Sequence, residues 1–358
     1  MLPSTGLRIE ICIACLLMLS IQPISTKIVV HGFAEEEKIF DVDVLDSSFR
    51  WPSPIQPNNS ICYLIDLEIK NCTAELMDFL AARAFLFRVT NVRSSELYIP
   101  VNCVYVEIEH CKRTANIDIS FAGVDNLKLL RISGTPITVL PQSINNLTKL
   151  EQLFLDELHL VELDLGLLKM VSLQELIICQ MPQIKIIASK TVFLEKLRSF
   201  HIVDCNMTEL DASKWNFPSL QSLTLSHNQL SRIPVGLNNF ENLTYLNIDY
   251  NQLDSFDFSV FEGFDYLQIL SLNHNQLRTF KVGDSIRLPS LSALYLSYNR
   301  LNGVEELLKL DLPALEEVDL TLNDLTWSKE LDQLVSRSKS FCFDVNSPNC
   351  GRYNFAKI

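Results

Sequence analysis

From Leu127 to Leu325 the chain sets apolar and polar residues in one recurring phrase, L-x-x-L-x-L-x-x-N-x-L with conservative swaps. Copies start at Leu127, Leu150, Leu173, Leu197, Leu220, Leu243, Leu267, Leu291 and Leu315, always 23 or 24 residues apart. The clearest read LQSLTLSHNQL from Leu220, LTYLNIDYNQL from Leu243, LQILSLNHNQL from Leu267 and LSALYLSYNRL from Leu291. The x-L-x-L-x centre alternates with period two, which predicts a short strand with its leucines on one face. Leu223, Leu246, Leu270 and Leu294 are therefore expected inside, with Thr224, Asn247, Ser271 and Tyr295 on the opposite, concave face. An outgoing arm adds a second apolar row, seen in Phe256, Phe258, Phe261 and Phe264 and in Leu140, Ile144 and Leu147. Burying a few such side chains at ~1.5–3 kcal/mol each only offsets the entropy of ordering one coil, at ~1–2 kcal/mol per residue. The coils must stack to have a core.

Asn228, Asn251, Asn275, Asn299 and Asn323 fall at one fixed step after the strand. An amide at that step can satisfy backbone groups where the chain turns inward, and losing a buried partner costs roughly 1–3 kcal/mol. Earlier copies carry Thr135, Cys205 and Cys111 there, so the row is expected to stay polar or soft throughout. Weaker copies lie upstream in CVYVEIEHC from Cys103 and LIDLEIKNC from Leu64, with a shorter one in FLFRVTNV. That makes 11 coils and one degenerate one.

This phrase is the leucine-rich-repeat signature, and the chain resembles the extracellular leucine-rich-repeat superfamily over most of its length. The fold class expected is an α/β solenoid, a horseshoe with a concave parallel β-sheet of 11–12 coils and capped ends. Its layout resembles the short, secreted, coil-less type of insect leucine-rich immune proteins. The matching features are an N-terminal leader, irregular coils, NDLTW entering a terminal helix and a late cysteine pair. That resemblance implies binding of a protein partner or a pathogen surface.

Residues 11–21 (ICIACLLMLSI) form an apolar run after a short start containing Arg8, followed by small residues near Thr26. This reads as a cleaved signal peptide over 1–26, too short to span a bilayer. Residues 27–61 read as an N-terminal cap, 62–326 as the solenoid and 327–358 as a C-terminal cap. In the last, Trp327, Leu331, Leu334 and Val335 are expected on one helical face, followed by a loop in which Cys342 and Cys350 pair. The sequons Asn58, Asn71, Asn146, Asn206 and Asn242 fit a secreted glycoprotein, and no membrane span is legible. Cys12 and Cys15 leave with the leader. Of the remaining cysteines, Cys72, Cys111 and Cys205 take the inward step as small hydrophobes, and Cys62, Cys103 and Cys179 stay unassigned.

No nucleophile–base pair, metal-ligand spacing or phosphate-cradling glycine loop stands out, so neither an enzyme, a cofactor nor a metal is expected. The net charge of −13 counts against nucleic acids and anionic membranes and favours a basic or neutral partner. His110, His227 and His274 recur just before the asparagine step and read as solvated strand-edge residues. His201 points from mid-strand to the concave face. The last coils present tyrosines among small polar residues, a composition suited to contact. Ligand binding is therefore expected to centre on Tyr245, Asp249, Tyr250, His274, Tyr295 and Tyr298. The function read here is a secreted recognition protein of innate immunity. An extracellular adhesion or matrix module, or a soluble relative of a receptor ectodomain, is the alternative.

Overall fold

The computed structural model describes residues 96–99, 103–110, 117–283 and 286–342, and the backbone of strands at Lys27–His31, Glu37–Asp41, Ile61–Glu68 and Ala84–Thr90. The leader, Asn58, Asn71, Cys72, Cys111 and Cys350 lie outside the described residues. These four strands are β1 to β4 of one large sheet. It continues with β5 (Tyr105–Glu109), β6 (Leu129–Ser133), β7 (Gln152–Asp156), β8 (Glu175–Cys179) and β9 (Ser199–Val203). Then come β10 (Ser222–Thr224), β11 (Tyr245–Asn247), β12 (Ile269–Ser271), β13 (Ala293–Tyr295), β14 (Glu317–Asp319) and β15 (Ser340–Cys342). Neighbours in sequence are neighbours in the 15-stranded sheet from β3 onward, all parallel. The β1–β2 hairpin adds antiparallel to β3 at one end.

The register follows from the repeat step. Leu223, Leu246, Leu270 and Leu294 pair across successive strands, as do Thr224, Asn247, Ser271 and Tyr295. The leucines are almost wholly buried, so the inside and outside faces are those the alternation predicts. On the far side of each coil the returning arm is too short for an α-helix. It forms 3-10 turns such as Gln142–Asn146 and Phe258–Phe261 and two-stranded parallel ladders such as Ser255–Asp257 with Thr279–Lys281. The helical layer of the expected α/β solenoid is thus reduced to single turns. Asp257 starts one of them by accepting a hydrogen bond from the Ser259 amide.

The core between the two arms is continuous. Phe256, Phe258, Phe261 and Phe264 fill its outer side in edge-on and stacked contacts, and the two preceding coils add Trp215, Phe217 and Phe240, with Phe200 of β9 packed on Trp215 from the strand side. At the C-terminal end α1 (Lys329–Arg337) is capped by Ser328, whose Oγ accepts from the Leu331 amide. Leu331 and Leu334 are buried under it and β15 pairs with β14, so helix and strand together cover the last coil. Trp327 departs from the sequence reading: it precedes the cap residue and stands 60% exposed. A helix starting after Ser328 presents only its own residues to the coil.

Candidate functional site

The asparagine row behaves as its chemistry predicts in the second half of the solenoid. Asn251 Oδ1 accepts from the Leu230 amide, and its Nδ2 donates to the carbonyls of Leu225, Ile248 and Asp249. Asn275, Asn299 and Asn323 repeat this pattern coil by coil. Each amide reaches the carbonyl that a backbone N–H would otherwise take, two residues past the point where β10 to β14 end. The displaced N–H groups then need other acceptors, and concave side chains supply them. Asn247 Oδ1 accepts from the Asp249 amide, Asp249 Oδ1 from the Asn273 amide, Asn273 Oδ1 from the Ser297 amide and Asp319 Oδ1 from the Thr321 amide. Ser271 and Ser297 add hydroxyl donors to Asp249 and Asn273.

The first half of the row differs from the expectation that it is polar or soft throughout. Leu158 and Met181 occupy the step and are buried, between Thr135 and Cys205. With no amide to intervene, β6 to β9 run five residues each against three for β10 to β14, and the backbone pairs with itself through Ile132, Leu155, Ile178 and Ile202. Cys205 borrows from both systems, its amide donating to Asn228 Oδ1 and its thiol to backbone carbonyls. Burial pushes the Cys103 and Cys205 thiols up to about 12, so both stay protonated and unreactive.

Just before the row, every coil from β5 to β14 passes through the left-handed region: at His110, Gly134, Glu157, Gln180, Asp204, His227, Tyr250, His274, Tyr298 and Leu322, all with φ between 49° and 56°, and the coil of β9 does so again at Asn206. Such residues stand on the rim of the sheet, pointing clear of it. Four successive ones stack: His227 on Tyr250 at 4.2 Å, Tyr250 on His274 at 4.0 Å and His274 on Tyr298 at 4.0 Å, with ring planes within 15° of parallel. Tyr250 and Tyr298 are 45% and 49% exposed, His227 is exposed and His274 half-buried. The histidines are thus not isolated edge residues but half of a ring stack. Burial, then the neighbouring His227, pull His274 below its ordinary value.

The six residues expected to form the contact centre separate into three groups. Tyr250, His274 and Tyr298 belong to the stacked rim. Asp249 and Tyr295 are buried in the sheet face: Asp249 is held by Ser271 and Asn273, and the Tyr295 hydroxyl donates to Glu317. Tyr245 is half-buried, its hydroxyl accepting from Asn247. Burial raises the Asp249 carboxyl to about 6 against the hydrogen bonds that pull it down. His227 was missed as a contact residue, although its place one step before Asn228 aligns it with Tyr250 in the sequence.

Two other features of the concave face carry charge or a titrating group. Arg131 lies between Glu109 and Asp156, at 3.9 and 3.7 Å, and Ser133 donates to Asp156; burial nevertheless raises the Asp156 carboxyl. His201 sits between Ile177 and Thr224 on the flanking strands, in hydrogen-bond contact with Ser199. It is half-buried within the curve of the sheet, and burial lowers it to about 4. Among the described residues no group of three or more His, Cys, Asp and Glu side chains has a metal-binding arrangement, and no helix is long and apolar enough to cross a membrane. Of the described sequons, Asn146, Asn206 and Asn242 are all exposed. Asn206 follows the rim residue Asp204 by two positions, and the Asn242 Nδ2 donates to the Pro218 carbonyl. Cys342 is buried at the end of β15.

Parallel strands, inward leucines and an asparagine row settle the architecture. The fold is a leucine-rich-repeat solenoid. A leucine-rich-repeat family model matches residues 195–253 and 241–301, a stretch that takes in Asn228, Asn251, Asn275 and Asn299 of the row. No curated protein matches in sequence. Among solved structures, the mouse RP105/MD-1 complex is similar with a TM-score of 0.51 and 13% identity, over 83% of this chain and 57% of that one. The leucine-rich-repeat domain of mosquito APL1 is similar at 19% identity and TM-score 0.46, over 75% of this chain and 83% of that one. A leucine-rich-repeat protein of Leptospira interrogans is similar at 21% identity and TM-score 0.44, over 78% and 83%. At these identities the likenesses show the fold.

Proposed function

We propose that this chain is a secreted, glycosylated, non-enzymatic recognition protein that binds a protein or pathogen-surface ligand through its concave face and adjoining rim. The stacked rim carries this reading. Four rings, one from each of four successive coils, stand together at the border of strands whose concave Asn247, Asp249, Ser271 and Asn273 are already hydrogen-bonded within the sheet. A rigid surface with exposed tyrosine edges gives contact area at small entropic cost. The signal-peptide pattern and the exposed sequons support secretion, and the Cys342–Cys350 pairing would belong to the same oxidising compartment. The resemblance to insect leucine-rich immune proteins supports an innate-immune setting.

The test has two arms. Expressed in secretory cells, the chain should enter the medium and shift in mobility on glycosidase treatment. A photo-crosslinker at position 250 or 298 of the secreted chain should then trap a partner from body fluid. The same group at exposed Phe193, which lies outside the concave sheet, should not. Equal trapping at all three positions would sink the concave-face reading.

A further inference from the structure

We propose that the rim from Tyr298 to Glu157 is a docking strip for a lysine- or arginine-bearing segment of a protein partner, an inference that rests on the recognition function above. First, the rings of the strip are closed to one another. With centroids 4.0–4.2 Å apart, each inner face is covered by its neighbour, so sugars, which bind aromatic residues by lying on open faces, have no seat. The edges, the tyrosine hydroxyls and the histidine nitrogens remain, and these suit peptide groups and the aliphatic stems of long side chains. The stack spans roughly 12 Å, the reach of about four extended residues.

Second, the charged side chains of the rim itself are of one sign. Past His227 the rim continues through Asp204 and Gln180 to Glu157, and both acids are exposed. On the adjoining sheet face, the outward positions of β10 to β14 include Asp249, Glu317 and Asp319 and no lysine or arginine. Asp249 is held by the Asn273 amide of the next coil and Asp319 by the Thr321 amide, so they contribute a fixed field rather than direct contacts. A basic segment laid along the rings would thus find its counter-charges at Asp204 and Glu157. The strip is also preorganised: each of its residues from Glu157 to Tyr298 donates its backbone N–H to the next coil, so little ordering remains to be done on binding.

The experiment uses the full secreted chain and fluorescent eight-residue peptides, (Arg-Ser)4 and (Glu-Ser)4, with an N-acetylglucosamine tetramer as competitor. (Arg-Ser)4 is expected to bind and (Glu-Ser)4 not. Asp204→Asn with Glu157→Gln should weaken (Arg-Ser)4 about tenfold and Tyr250→Ala with Tyr298→Ala at least threefold. Glu195→Gln with Glu241→Gln, which removes equal charge from exposed positions before β9 and β11, should change it less than twofold. An equal loss in that control pair, indifference to peptide sign, or displacement by the sugar overturns the proposal. Trapping of a protein at position 250 that (Arg-Ser)4 fails to displace also overturns it, while leaving the recognition function standing. Trapping nowhere on the concave face or rim would overturn that function as well.

Discussion

Coils 129–205 and coils 220–323 stack the same strands with the same step but satisfy their backbones in two ways. In the second group an asparagine side chain takes a carbonyl from the preceding coil, and a concave Asn or Asp answers for the N–H this sets free. In the first group the step is Thr135, Leu158, Met181 and Cys205, and the strands lengthen until the backbone bonds itself. The lesson is that one missing amide changes both ends of the sheet. It lengthens the strand and it releases the concave side chains from structural duty. That is why the first group can place Phe154, Ile177 and His201 at mid-strand, where the second has Asn247 and Ser271 in hydrogen bonds.

The largest expected contrast is at the row itself. Asn251→Ala removes four hydrogen bonds from a buried site and should cost about 3 kcal/mol, whereas Cys205→Ala should cost about 1 kcal/mol. Urea denaturation midpoints at equal slope measure both. Equal costs would mean the two halves do not differ in how they hold their backbones.

The pH response should separate the halves by sign. Asp249 has a folded pKa of about 6, above its unfolded value, so its stabilising contribution is full below about pH 4 and is lost as the pH rises through 6. His201, lowered to about 4, contributes above about pH 6.5 and its contribution is lost as the pH falls toward 4. Each is worth about 2–3 kcal/mol at full extent. Asp249→Asn should therefore make stability gain at pH 7.5 relative to pH 4.5, and His201→Gln should do the reverse. Parallel curves for the two variants would contradict this.

A smaller effect tests the rim. Gly134 shares the left-handed backbone of its neighbours, but a Cβ there would meet His110 Nδ1 at 2.6 Å. Gly134→Ala should cost about 2 kcal/mol, and much of it should return in the His110→Ala background, a coupling that a double-mutant cycle reads directly. Absence of coupling would place the whole cost in the backbone. At the other end of the rim Tyr250→Ala should cost only about 1 kcal/mol of folding, since what it removes is ring stacking on an exposed edge. A much larger loss in thermal unfolding would show the stack to be structural rather than available for contact.

The periodic leucines made the strands, their register and the inward face legible, because a two-residue alternation leaves no other face for them. Leu223 and Leu270 sit where the phrase puts them. The asparagine row was legible wherever asparagine stands, and its apolar replacement by Leu158 and Met181 went unread. At those positions the motif offers no signal beyond an apolar residue out of place. Of the contact surface, the rim tyrosines were legible by composition. The burial of Asp249 and Tyr295 was not, since the alternation says which face a residue takes and nothing of what its neighbours there do to it.

By itself, then, the amino-acid sequence determined the solenoid, its step and its inner face, because each follows from local periodicity repeated until the coils had to stack. Only the tertiary structure decided which concave side chains stay available. His227, Tyr250, His274 and Tyr298 are 23 or 24 residues apart, and they form one stack because parallel pairing holds their coils in register. The same pairing buries Asp249 on the concave face, beside the Asn273 amide that the asparagine of the next coil sets free.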